Sequence, residues 1–399
     1  MHVQVVDPSA FTPPYDHALC ASLARAGAVV QLITSRFAYG EAPAAEGYRR
    51  RELFYRHARG APGAKVRRAV KLIEHVPDML SLRRLAGDAD VVHFQWLDVQ
   101  WLDRHLLPDR PTVLTAHDLL PREARPGQAW AQRRLYDAVD AVVVHSEYGR
   151  RQLIEALGVD RSKVHVIHHG AFTHLVGAMH GVDAAGGCPG VGGGGGQAKA
   201  KGGARGERVG DGATLPAELQ RVSVPVVLFF GLLRPYKGIE VLLKAWRGIT
   251  GAELWIVGRP RMPLAPLQNL AGAGVRFVAR FVPDAELRAV FRRADVVVLP
   301  YCRTERFDQS GVLATALAFG KPIVVSDVGG FGEVGALGAA RMVAPDDVSE
   351  LHDVLALLLG DASERARLAQ AARAAGAGPY SWAAAARKTL ALYEALIAR

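Results

Sequence analysis

At 399 residues, half of them hydrophobic and 22% charged, the chain has an ordinary globular composition and the length for two cores rather than one. A formal net charge of +10 points to an anionic partner, either a phosphorylated small molecule or an acidic membrane surface; nucleic acid is set aside because no recognition motif accompanies the charge. Three scattered cysteines (Cys20, Cys188, Cys302) exclude a disulfide framework or zinc cluster, and the start "MHVQVVDPS" lacks a basic-then-apolar leader, so a cytoplasmic protein is expected.

In chain order, the first half alternates short β-branched runs with helical patterns. "VQVV", "AVVQLIT", "ADVVHF", "PTVLTA", "DAVVVHS" and "KVHVIHHG" read as strands. Continuous apolar runs of this kind suit strands covered on both faces by helices, hence a parallel sheet. "DHALCASLARAG" and "SEYGRRQLIEALG" read as helices closing on glycine. "YDHAL" places Asp16 and His17 at the first helix start, where they face the acceptor or cap the helix. Between Tyr48 and Val76 lies a dense cationic run mixed with aromatic and aliphatic residues. It suits peripheral docking on anionic lipid as well as a solvated basic helix face.

The alternation stops from about Val176 to Gly212, where glycine-rich sequence has too few large apolar residues to offset its ordering entropy. Its glycines lack the flanking strand and helix that a dinucleotide fingerprint needs. The pattern resumes with "VPVVLFFG", "AELWIVG", "VRFVARF", "ADVVVLPY", "KPIVVSD" and "ARMVA" as strands, and ends in the amphipathic "YSWAAAARKTLALYEALIAR". The longest apolar run, "VPVVLFFGLL", is about half a bilayer span. The expected organisation is an α/β doubly wound domain over 1–170, a glycine-rich linker over 171–222, a second such domain over 223–380, and a terminal helix over 381–399 packing back on the first domain.

Two stretches at strand carboxyl ends carry the sharpest chemistry. "LLRPYKG" puts Arg234 and Lys237 after a strand, suiting two negative charges of a diphosphate; a solvated basic turn would carry the same residues. "FDQSGVLATALAFGKP" turns at Ser310-Gly311 into a helix apolar all round. Backbone N–H groups of Ser310, Gly311 and Val312 at its first turn form an anion site aided by the helix dipole. "DAD" at Asp88–Asp90 reads as helix-stop chemistry rather than a metal site, and His168-His169 end a strand, where one faces the cleft or both are satisfied structural histidines.

Together with "LWIVGRP", "VRFVARFVPDAELRAVFRRADVVVLPY", "TAHDLLP" and "HSEYGRRQL", these motifs make the chain resemble the family 4 (group 1) retaining glycosyltransferases. The resemblance covers nearly everything but the glycine-rich segment. It implies the GT-B fold, with an acceptor domain first and a nucleotide-sugar domain second. It also implies retaining transfer of a sugar from a nucleoside-diphosphate sugar to a hydroxyl acceptor, without metal or other cofactor. Arg234, Lys237, Gly311 and Val312 match the family's diphosphate contacts, and His117 its cleft histidine beside the transferred sugar. Gly258 and Arg280 fall on the nucleotide side. The family's two glutamates, with seven residues between them, fall here on Phe307 and Thr315. Asp308 and Glu305 flank the first position, so Asp308 is the expected contact to sugar hydroxyls, and Thr315 replaces the ribose carboxylate with a hydroxyl. The missing carboxylates keep a catalytically silent sugar-binding protein, and less readily a nucleotide-sugar epimerase, as alternatives.

Overall fold

In a computed structural model, residues 1–38, 40–60, 64–97, 99–120, 126–177, 214–304 and 308–399 are described. Most of the glycine-rich segment, Cys188, Glu305 and Phe307 lie outside them. Seven strands form the first sheet: β1 (His2–Asp7), β2 (Val29–Ser35), β3 (Arg49–Phe54), β4 (Val91–Phe94), β5 (Thr112–Thr115), β6 (Ala141–Val144) and β7 (Val164–Val166). Their spatial order is β3-β2-β1-β4-β5-β6-β7, parallel throughout. The second sheet contains β8 (Val226–Phe230), β9 (Glu253–Val257), β10 (Val275–Val278), β11 (Val296–Leu299), β12 (Ile323–Ser326) and β13 (Arg341–Val343). It is also parallel, in the order β10-β9-β8-β11-β12-β13.

Both sheets are covered on each face, which is why their strands read as apolar runs without alternation. Neighbouring residues of β1 serve opposite cores: Val5 packs with Leu19 and Tyr393, Val6 with Phe94 and Tyr136. In β8, Val226 and Leu228 face one core and Val227 and Phe229 the other. Each sheet reverses its winding once, between β1 and β4 and between β8 and β11, and ligands in such sheets bind outside the strands' carboxyl ends at that switch point.

The Tyr48–Val76 stretch is not one helix. Its first part is β3, the parallel edge strand beside β2, and only from Lys65 does it become helical. Arginine side chains tolerate an edge whose outer positions meet water. We call the first helix (Pro13–Arg25) α1 and the Lys65–Leu85 helix α2. The terminal helix, Trp382–Ile397, packs against α1, and its Tyr393 hydroxyl lies 2.6 Å from His93 Nδ1 on β4. The chain crosses between domains where the Ala171 amide donates to the Tyr380 carbonyl at 2.7 Å.

Candidate active site

The second domain brings its two cationic and helical signals together at the β8/β11 switch point. Lys237 is buried, with its ammonium 5.3 Å from the centre of the Tyr301 ring. It lies so close to Gly231, at the end of β8, that a Cβ there would stand 2.8 Å from Nζ and 3.2 Å from Val312 Cγ2. Ammonium, bare backbone and the first turn of the Gly311–Ala318 helix thus share one spot. Arg234, half-buried, opens the short turn that carries Lys237. Gly258 forms the floor: its amide donates to the Val278 carbonyl at 2.9 Å, and a Cβ would fall 1.8 Å from the Gly231 carbonyl oxygen.

The helix start differs from the expected cradle of three N–H groups. Ser310 Oγ accepts the Val312 amide at 3.2 Å and lies 3.1 Å from the Tyr301 hydroxyl. The Ser310 amide donates to Gln309 Oε1 at 3.0 Å. A serine N-cap satisfies its own helix first, so the exposed Gly311 is left to present its amide at the tip. Thr315 is buried and its hydroxyl donates to the Gly311 carbonyl at 2.8 Å. That i−4 back-bond is what a hydroxyl does inside an apolar helix, so its proton is turned away from any ribose. Arg280 is not held open either: Glu286 at 2.7 Å and Glu218 at 3.5 Å meet its guanidinium.

Asp308 departs furthest from expectation. It is fully buried, and its carboxylate accepts the His145 amide at 2.7 Å and the Ser146 hydroxyl, both on the first domain. In this arrangement the carboxylate faces the seam between the domains rather than open solvent. Burial pushes this carboxyl up to about 7, the Ser146 and His145 hydrogen bonds opposing the rise.

In the first domain His117 follows β5 at its carboxyl end. Its Nε2 lies 3.1 Å from Gln95 Oε1 and its Nδ1 3.4 Å from His145 Nε2. The ring stacks on Trp96 at 4.9 Å and meets the edge of Tyr15 at 4.6 Å. A cavity of about 270 Å³ opens beside it, lined among others by Phe11, Gln95, Trp96, Gln128 and Gln132. Gln95 Nε2 is buried without a hydrogen-bond partner among the described residues. An amide donor left so is costly unless a ligand oxygen meets it. Gln95, Trp96 and His145 were missed in the sequence; the polar "QW" directly after the apolar "VVHF" was the available signal. A second cavity, of about 620 Å³ and bordered by Gln4, Gln31 and Arg49, lies at the strands' amino ends and therefore outside the cleft.

Asp16 and His17 both point inward. Asp16 is buried against Asp7, whose carboxylate accepts the amides of Ser9, Phe11 and Thr12 at 3.2, 2.6 and 3.2 Å. Burial, then the Asp7 charge, raise the Asp16 carboxyl well above its usual value, and Asp7 shapes the loop around Phe11. His17 Nδ1 pairs with the Tyr48 hydroxyl at 3.1 Å. Burial also holds His145 down to about 4 and His169 to about 3, keeping these two histidines neutral at neutral pH.

Two family models match in tandem: Glycosyltransferase Family 4 over residues 15–174 and Glycosyl transferases group 1 over residues 224–361. The D-inositol 3-phosphate glycosyltransferase of Corynebacterium efficiens is 30% identical over 83% of this chain and 77% of its own length. Among solved structures, sucrose-phosphate synthase from Thermosynechococcus elongatus superposes with a TM-score of 0.70 at 18% identity, covering 100% of this chain and 99% of that one. Anabaena HepE in complex with UDP-glucose gives 0.69 at 17% identity, covering 99% and 100%. These likenesses show the GT-B fold.

Proposed function

Because the chain belongs to the group 1, family 4 glycosyltransferases, we propose that it moves a sugar from a nucleoside-diphosphate sugar to a hydroxyl of a small polyol, with retention and without a metal. The observation that carries the reading is the convergence of the Lys237 ammonium, the Gly231 backbone and the first turn of the Gly311–Ala318 helix. As the bond from the anomeric carbon to the phosphate oxygen breaks, its electron pair passes to the diphosphate. Lys237, Arg234 and the Gly311 amide are preorganised for that charge, where such groups have the largest effect. The acceptor hydroxyl attacks on the same face, and its proton passes to the departing phosphate oxygen. No protein base is required, and Asp308, committed to the other domain, is not available as one. UDP-glucose is the first donor to try, since HepE is solved with it. The named relatives' inositol phosphate acceptor, together with the Gln95–Trp96–His117 pocket, supports a small polyhydroxylated acceptor.

The reading of a peripheral site of action is supported by α2. Val66, Leu72 and Ile73 are 73%, 59% and 74% exposed on a face shared with exposed Lys65 and Arg68. No helix among the described residues is long and apolar enough to cross a membrane. Apolar contact plus cations suits the surface of an anionic bilayer, which supports peripheral action at the cytoplasmic membrane face.

Product formation from UDP-glucose and other nucleotide sugars with a polyol panel tests the transfer. Nucleotide binding without turnover across the whole panel would favour the silent binding protein instead.

A further inference from the structure

Asp308 stands in the loop of the second domain that leads into the phosphate helix, yet both its carboxylate oxygens are bonded to the first domain. Oδ2 accepts the His145 amide at 2.7 Å; Oδ1 accepts the hydroxyl of Ser146. That same hydroxyl caps the Glu147–Arg151 helix by accepting the Gly149 amide at 2.9 Å. The fit has no slack: a Cβ on Gly149 would lie 2.7 Å from Oδ1, and one on Gly330 would lie 2.5 Å from Ser146 Cβ. On its own domain the Asp308 carbonyl is held by the Gly330 amide at 2.8 Å. Nearby, Glu333 makes a second crossing, accepting the Glu147 amide at 2.6 Å with its other oxygen 3.6 Å from His168 Nδ1.

The grip joins both halves of the site. Two residues after Asp308, Ser310 caps the phosphate helix. On the other side, the ring of His145 reaches His117 at 3.4 Å. We infer that Asp308 is a positioning residue, a latch that ties the donor loop to the His145–Ser146 backbone and thereby couples domain closure to the placing of His117 over the donor. The roles of donor and His117 rest on the function proposed above; the latch itself rests on the crossing bonds.

The physical balance suits a latch that opens. A carboxylate removed from water is unfavourable unless its oxygens are bonded, so the net gain of the closed form is small while its geometry is strict. Small net gain with two discrete arrangements is what a hinge-closing enzyme needs. Burial, with Glu333 and Asp118 nearby, raises the carboxyl; His145, His168 and Tyr380 complete its surroundings.

The test uses the full chain with Asp308→Asn and Ser146→Ala, the second leaving the charged group in place should the first fail to fold. Radius of gyration by X-ray scattering with and without UDP, UDP affinity, and kcat and KM for the donor are measured. The expected result is loss of UDP-induced compaction and a kcat lower by roughly ten- to a hundredfold, the size of a sub-ångström misplacement. UDP affinity should stay within about threefold, because the phosphate contacts are untouched. The double variant should be no worse than the poorer single one, since both remove the same link. Wild-type compaction and kcat in both variants, or additive losses, would overturn the latch. If the wild-type chain binds no nucleotide, the function reading fails instead, and the latch is decided by whether the variants are more expanded than wild type without ligand; equal radii would refute it.

Discussion

Substituting Gly231 by alanine perturbs the proposed phosphate site without removing any charge. The new Cβ would lie 2.8 Å from Lys237 Nζ, whereas ordinary contact begins at 3.4 Å. The ammonium must therefore retreat by about 0.6 Å, a shift that costs roughly ten- to a hundredfold in turnover when positioning matters. Gly231 also sits at φ +115°, which adds about 1–3 kcal/mol of backbone strain for a residue with a side chain. Because the clash falls on the far end of a flexible side chain, the fold should survive with a melting temperature lowered by several degrees. The assay is kcat and KM with UDP-glucose, alongside UDP affinity and a thermal melt. Combined with Lys237→Met, the substitution should add little further loss of activity, since both act through the same ammonium. Unchanged turnover and affinity in a folded Gly231→Ala protein would refute the claim that Lys237 and the helix start hold one ligand there.

Lys237→Met and Arg234→Ala should each lower kcat by about a hundred- to a thousandfold, the range for removing a transition-state donor; wild-type rates in both would sink the diphosphate assignment. Thermal stability should fall below neutral pH. His93, His145 and His169 are held by burial to about 3, 4 and 3, so unfolding takes up their protons as pH drops through the free-histidine value, and stability present above it is lost. Asp308, raised to about 7, acts with the opposite sign, favouring the folded form as pH falls below that value. Asp16, raised by burial and the Asp7 charge, acts with the same sign as Asp308, and the buried histidines are expected to outweigh these carboxyls near pH 5; a melting temperature rising steadily from about pH 7 down to 5 would refute this balance. Leu72→Glu with Ile73→Glu should abolish co-sedimentation with phosphatidylglycerol vesicles, each cation on the face contributing about 1 kcal/mol. Equal binding by the variant, or no binding by wild type, would rule out the α2 contact.

What the sequence determined on its own was the layered fold. A strand buried on both faces must be apolar along its length, and that demand is local, so strands such as β1, β4, β8 and β11 were legible as runs. The edge strand β3 was not, because "RRRELF" has one wet side and reads as a basic segment. The linear order also placed Arg234, Lys237 and Gly311 at strand carboxyl ends, where switch-point chemistry belongs. Only tertiary structure decided what each side chain does there. Thr315 looks like a ribose contact until its hydroxyl finds the Gly311 carbonyl one turn back. Asp308 looks like a sugar contact until a partner 163 positions away claims its carboxylate. Asp16 looks like a helix cap until the fold buries it against Asp7. Hydrogen bonding between distant segments depends on where the chain brings them, and a linear pattern carries no record of that distance.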